Sequence, residues 1–418
     1  MRHAGPVAAV AATLLAVGAT DLAAAGRWPA VTGLDDAGRI PGHYIVVLHP
    51  TTPVEDAVRR ADRVSGVSVD DVYRSAVHGF SASMPLSAAR TVAGFPGVHR
   101  VEADVRVRLT AQAMPTGVNR ANADASPTAA INGRDQRVDV DVAVIDTGVG
   151  YAHPDLNVHR PGTYNCYRQA PNADDQHGHG THVAGTIGAL DNRIGVVGTA
   201  PGARIWPVRV LGPTGGGSMS EVICGIDYVT AHADRIDVAN MSLGSPGGRD
   251  DGNCGRTYGD VMHQAICASV AAGVTYVVAA GNHGRDAAAF SPSSYDEVIT
   301  VSALADFNGR PGGGAAPTCR TEVDDTLAGF SNYGHDIDLI APGVCIRSTW
   351  KYGGYETLSG TSMASPHVTG AAALYLSRHP AASPGAVRAA LRRTGSAAWS
   401  GVGDPDNLHE PLVDLTGY

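Results

Sequence analysis

VDVAVID, residues 140–146, is a run dominated by small and β-branched apolar residues that stops on an acid, with Thr147-Gly148 next. The form returns down the chain: RIWPVRVL (204–211), RIDVANMSL (235–243), VTYVVAAGN (274–282) and EVITVSAL (297–304) run into polar or glycine-rich turns. Helical stretches separate them at His182–Ala189, Ser220–His232 and Asp260–Ala272. Apolar strands alternating with helices predict an α/β fold, a doubly wound and mostly parallel sheet covered on both faces. In such sheets, sites form beyond the carboxyl ends of the strands. Asp146 sits at one of those ends.

Upstream the chain changes character. HYIVVL (43–48) reads as a strand, VEDAVRRADRV (54–64) has helical period, and 68–84 gives extended segments around Tyr73 and Phe80. Leu86–Ala93 is a second helix and VHRVEADVRVRL (98–109) a last strand. The order β-α-β-β-α-β is ferredoxin-like, and so small an α+β unit is marginally stable alone. Before it, Arg2 and His3 precede an apolar run from Val7 to Ala19, with Ala23-Ala24-Ala25 beyond. That is the layout of a secretory signal. The run is broken by Asp21 and is shorter than the roughly 20 residues of a spanning helix. The expected division is a signal over 1–25, a small domain over 26–110 (structured about 43–109) and the α/β domain over 111–418.

Hydrophobic residues at 44% and charged residues at 17% describe a folded chain with a sizeable core. The formal charge of −9 is uneven: residues 1–110 hold 11 basic and 10 acidic side chains, so the acidic excess lies in the α/β domain. No basic stripe appears, which argues against nucleic acid as a partner. All six cysteines (166, 224, 254, 267, 319 and 345) fall in the α/β domain, without C-x-x-C spacing. An even count in an exported chain reads as disulfides. Connectivity stays open, and pairing sequence neighbours (Cys166 with Cys224, Cys254 with Cys267, Cys319 with Cys345) is the expectation.

Three segments carry reactive side chains. Asp146 can orient a histidine from its strand end, or simply shape a turn. HGHGTHVAGTIGA (177–189) places His179 at or near the start of a small-residue helix. The clustered histidines raise a zinc reading, but the HExxH arrangement is absent. Ser362, in GTSMASPHVTGAAALYL (360–376), precedes an Ala/Leu helix. There its oxygen meets backbone N–H groups and the positive end of the helix dipole, although a lone serine in that place is usually an N-cap. Pro366 is tolerable if it falls in the first turn. The G-x-S-x-G signature of lipase-type hydrolases is missing.

Taken together, VAVIDTG around Asp146, HGTHVAGT from His179 and GTSMASPHV around Ser362 resemble the motifs of the subtilisin-like serine peptidases, nearer to proteinase K. The order Asp, His, Ser is that of subtilisin. The resemblance implies a secreted serine endopeptidase of broad specificity, with Ser362 as nucleophile, His179 as acid–base and Asp146 as its support. It makes Asn282 the oxyanion donor and Ser242-Leu243-Gly244 the edge that pairs with an extended substrate. Ala279-Ala280-Gly281 becomes the second wall of the first specificity pocket. Small walls, Phe290 near the floor and no acid suggest an apolar or aromatic residue before the cut bond. The family also implies a structural calcium ion, held by side chains of Gln112, Asp155 and Asn192 and carbonyls of Leu190, Ile194 and Val196, six oxygens that suit the ion.

Residues 43–109 look like the family's propeptide, an intramolecular inhibitor whose last strand VRVRLT (105–110) leads toward the cleft. Self-cleavage then falls near Thr110–Ala111, and protein or peptide substrates, no membrane after signal removal and a monomer are expected. Departures from the family core lie at Gly247–Tyr258 and Asn308–Asp325, each holding a cysteine. Two other readings share the motifs: a catalytically dead homologue that binds peptides, and an esterase. The intact reactive positions disfavour the first, and the substrate-pairing SLG segment disfavours the second.

Overall fold

The computed structural model describes residues 31–34, 39–105, 111–167 and 172–418. The chain divides into two units, residues 1–109 and 110–418. The signal assigned to 1–25 and the end of VRVRLT lie outside the described residues.

In the first unit, strands Arg39–Leu48, Ser68–Tyr73, Gly79–Ser83 and Val98–Val105 and helices Val54–Ala61 and Leu86–Ala93 follow the predicted order. Alternate residues of the first strand, Tyr44, Val46 and Leu48, are buried with Phe80, Ala89 and Val101 into one small core, as the two-residue period of a strand requires. One element is additional. Val31–Thr32, in what reads as linker, pairs in parallel with Val101–Glu102 and extends the sheet at its edge. Two residues are too few for a periodic signal.

In the second unit the quoted run becomes the strand Asp141–Asp146, paired in parallel with Arg204–Arg209 on one side and Val238–Met241 on the other. The sheet continues in parallel through Thr275–Ala279, Ile299–Ala305 and Leu339–Pro342, and among the described residues only Thr326–Leu327 runs antiparallel in it. Its residues explain why it is covered twice. Val142 and Val144 enter one core, shared with Val183, Ile187 and Val368. Ala143 and Ile145 enter the other, with Val222, Ile226 and Ile266. Helices His179–Gly188 and Thr361–Arg378 therefore lie over one face, and Met219–Ala231 and Val261–Ala271 over the opposite one.

Local chemistry sets the helix ends. Ser218 and Glu221 form a reciprocal capping box that starts Met219–Ala231, and Asp260 caps Val261–Ala271. Cystines join Cys166 to Cys224, Cys254 to Cys267 and Cys319 to Cys345, with Cα separations of 6.0, 5.9 and 5.8 Å. The segment Asn308–Asp325 is also tied by charge: Arg120 is buried between Asp306 (3.1 Å) and Asp325 (2.8 Å).

Candidate active site

Asp146 is wholly buried at the carboxyl end of its strand. Its two oxygens accept from Nδ1 of His179 at 2.8 and 3.0 Å. His179 is the first residue of helix His179–Gly188, at the helix start as expected although the apolar pattern itself begins only at His182, and is 21% exposed. Gly178 before it has φ +114°, and a Cβ there would lie 2.4 Å from the Trp350 ring, so glycine alone fits the entry to the helix. Burial opposes a charged imidazole, but the Asp146 carboxylate beside it and Asp175 beyond raise its pKa above the usual histidine value.

Asp175 is one residue that reading the sequence misses. Buried, it accepts from Thr147 Oγ1 and the His177 and Gly178 amides with one oxygen, and from the Thr181 amide and hydroxyl with the other. It thereby ties the strand end carrying Asp146 to the helix start carrying His179. In the acidic stretch ADDQ (173–176) nothing local distinguishes it from a solvated aspartate.

Ser362 is the second residue of helix Thr361–Arg378. Its amide is one of the donors that a helix start leaves without an intrahelical partner. Its hydroxyl donates to the Ser242 carbonyl at 3.2 Å; among the described residues no hydrogen bond joins it to His179. Pro366 lies beyond the first turn, contrary to expectation. The i−4 carbonyl it cannot serve is that of Ser362, and the Ser242 hydroxyl donates there instead, at 3.0 Å. Ser242 and Ser362 thus hold each other through two hydrogen bonds.

Asn282 follows strand Thr275–Ala279 by a tight turn. Its Oδ1 accepts from both the amide and hydroxyl of Thr361, at 2.8 and 2.9 Å; its Nδ2 donates no hydrogen bond among the described residues, and Asn282 and Ser362 line the same hollow. The turn is fixed from behind by Asn332, buried and likewise not foreseen. It donates to the Ala280 carbonyl and accepts from the His283 and Arg285 amides. Gly281 has φ +106°, and a Cβ there would lie 2.5 Å from the Asn332 amide.

Two adjoining hollows share Ser242, Leu243 and Gly244 as a common wall. One, of 380 Å³, is lined by His177, His179, Leu211, Gly215–Gly217, Met219 and Met262. The other, of 210 Å³, is lined by Ala279, Ala280, Gly281, Asn282, Phe290 and Ser362. The predicted substrate-binding segments and the predicted reactive residues therefore meet around one cleft. The second hollow holds no acid but does hold His283, which the sequence does not single out.

The six predicted calcium ligands also come together. Asp155 is buried and accepts from Asn192 Nδ2, the Val196 amide and the Tyr355 hydroxyl. Burial outweighs those hydrogen bonds and pushes its pKa up to about 6. Gln112 Oε1 accepts from the amides of Asn192 and Arg193, and Asn192 Oδ1 from that of Ile194. The carbonyls of Arg193 and Gly195 serve Gln112 and Ala113. Those of Leu190, Ile194 and Val196 accept no hydrogen bond among the described residues.

Comparison with known proteins bears on this arrangement. The profile of the Subtilase family matches residues 138–412, and that of Peptidase inhibitor I9 matches residues 43–110. The chain is 36% identical to the Extracellular serine proteinase of Thermus sp. (strain Rt41A) over 388 residues, 86% of each chain. It is 35% identical to Subtilisin NAT of Bacillus subtilis subsp. natto over 358 residues, 84% of this chain and 85% of that one. Among solved structures, a cold adapted subtilisin-like serine proteinase matches 68% of this chain and 92% of its own, with a TM-score of 0.53 and 31% identity. With a parallel sheet of this order and a cleft at its strand ends, the protein belongs to the subtilase family: it is a subtilisin-like serine endopeptidase made behind an I9-type propeptide domain.

Proposed function

We propose that the chain is a secreted, self-processing endopeptidase that cuts proteins through Asp146, His179 and Ser362. The observation carrying this reading is the two-oxygen grip of Asp146 on His179 Nδ1. It fixes the tautomer with the proton on Nδ1 and leaves Nε2 basic on the cleft side. Ser362 Oγ, turned from the Ser242 carbonyl to His179, gives up its proton as it attacks the scissile carbonyl; such bonds are often unmade before substrate binds. The oxyanion is received by Asn282 Nδ2 and the Ser362 amide, an arrangement in which one lost donor costs about 3–4 kcal/mol. His179 then protonates the leaving amine, and water activated by the same imidazole releases the acyl group. Ser242–Gly244 would pair with the substrate backbone on one side of the first pocket and Ala279–Gly281 would close the other, with Phe290 favouring apolar and aromatic side chains.

The boundaries proposed are a signal over 1–25, a propeptide over 26–110 that inhibits its own enzyme, and a monomeric peptidase over 111–418. The residues near Asp155 fit a calcium ion. Among the described residues, three carbonyls that accept no hydrogen bond alternate with two that are used, beside the buried Asp155 carboxylate, which no arginine or lysine pairs with. Leu190, Ile194, Val196 and Asp155 would hold it, joined by Gln112 and Asn192 on giving up their amide partners. Bound there, calcium supplies structural charge and no chemistry.

The test is secretion and processing of wild type and Ser362→Ala, followed by casein hydrolysis and N-terminal sequencing. Wild type should start near Ala111 and digest casein, while the variant stays at precursor length without activity. Proteolysis by the purified variant would refute the assignment of Ser362.

A further inference from the structure

Away from the reactive residues, metal-ligating side chains gather where the segment Gly247–Tyr258 meets helix Val261–Ala271. Ligand atoms of Asp250, Asp251 and His263 all lie within 4.8 Å of one another. Glu297 joins them: its Oε2 is 2.7 Å from His263 Nε2, and Asp250 Oδ2 is 3.8 Å from the same nitrogen. The imidazole is wholly buried, whereas the Glu297 and Asp250 side chains are 27% and 18% exposed, so an ion can reach the group from solvent. The ring is held in place. It lies flat on Tyr295, with centroids 4.0 Å apart and planes 2° from parallel. The Tyr295 hydroxyl donates to Asp260 at 2.6 Å, and Asp260 caps the helix by accepting from the His263 amide. Nδ1 is buried and has no hydrogen-bond partner among the described residues, so this histidine does not bridge two partners. Its side chain engages other polar groups only through Nε2, aimed at the carboxylates. The loop that brings those carboxylates is fixed by other means: the Cys254–Cys267 cystine, and the Asp251 oxygens, which accept from the Asn253, Gly255 and Thr257 amides. Each Asp250 oxygen accepts from one amide, of Gly252 or Asp296, and keeps a lone pair to spare. Among the described residues no arginine or lysine pairs with Asp250, Asp251 or Glu297. Like charges so close repel, and a cation among them relieves that repulsion.

We propose that this cluster binds a divalent ion of the zinc class through His263 Nε2, Glu297 and Asp250, with Asp251 adding negative charge beside it. The donor set selects the ion. One imidazole among carboxylates suits zinc, whereas calcium takes oxygen ligands alone. On binding, Nε2 gives its lone pair to the ion and the proton of the neutral ring stays on Nδ1. The ion pins the segment Gly247–Tyr258, which runs on from Ser242–Gly244, to the helix whose Met262 lines the larger hollow.

The experiment uses the full chain carrying Ser362→Ala, stripped of metal and returned to excess calcium so that zinc is read against an oxygen-seeking ion. Calorimetric titration with zinc chloride should show one tight equivalent. Glu297→Gln and Asp250→Asn, which keep side-chain shape, should each weaken it by about tenfold or more. His177→Gln, in the other histidine-rich stretch, should leave it unchanged. X-ray absorption at the zinc edge of the parent chain reads the ligands with no further substitution, so the outcome does not hang on whether a variant folds. One imidazole together with carboxylate oxygens is expected there. No zinc uptake by the parent chain, uptake unaltered in both amide variants, uptake abolished by His177→Gln, or two or more imidazoles on the ion each overturns the proposal.

Discussion

Pro366 has no N–H to offer the Ser362 carbonyl, and the Ser242 hydroxyl takes that acceptor. The pair makes a prediction at the residue scale. In a Ser362→Ala background, chosen to stop autolysis, Ser242→Ala should cost roughly 1–3 kcal/mol of unfolding free energy, the cost of a carbonyl left unpaired in the interior. Restoring an amide with Pro366→Ala should recover about 1 kcal/mol or more of that loss in the double variant, a non-additivity expected only of residues sharing one acceptor. Urea denaturation of the four chains decides it, and simple additivity would refute the link. The same scale shows what could be read from the sequence. Asp146, His179 and Ser362 are legible because each sits inside a run of neighbours that is itself distinctive. Asp175, Asn332 and the Ser242 hydroxyl act on partners distant in the chain or through single side chains, so their surroundings in sequence carry no mark.

At the scale of elements, the strand runs were legible because burial on both faces demands continuous apolar residues. Helix starts are legible to within a residue at Val54, Leu86, Met219 and Val261, whereas His179–Gly188 begins earlier than its apolar residues alone suggest, because Asp175 and Thr147 supply the partners its first amides need. The segment Asn308–Asp325 gave only a cysteine to go on. In the structure Arg120, from the short helix Thr116–Arg120, ion-pairs with Asp306 just before that segment and Asp325 at its end. Removing one member of a buried ion cluster strands the others, at about 3–5 kcal/mol. Arg120→Ala in the Ser362→Ala background should therefore lower the urea midpoint strongly, whereas Arg310→Ala, on the exposed part of the same segment, should leave it nearly unchanged. Equal midpoints for the two variants would show that the buried ions do not hold the loop.

At the scale of the whole molecule, pH and the proposed calcium ion would act on one carboxylate. The pKa of Asp155 rises from 3.8 to about 6 on folding without a cation. The folded state then binds more protons than the unfolded state between those values, so stability falls as pH climbs through that window and the deficit persists above it. Calcium bound there as proposed would offset the deficit and compete with the proton. Adding EDTA to the processed enzyme, blocked with a sulfonyl fluoride, should lower Tm by about 5–10 °C at pH 8 and by distinctly less at pH 5. An equal drop at both pH values, or none at pH 8, would remove Asp155 from the calcium set. The helix Thr361–Arg378 has a different consequence. Nearly every side chain along it is buried, so water offers the segment no amphipathic face on which to form early, and its place exists only once the sheet beneath is laid down. A half-folded polypeptide would therefore carry the hydroxyl proposed to attack on an unformed segment, and the cutting edge would be fitted last, after the rest of the blade can survive it.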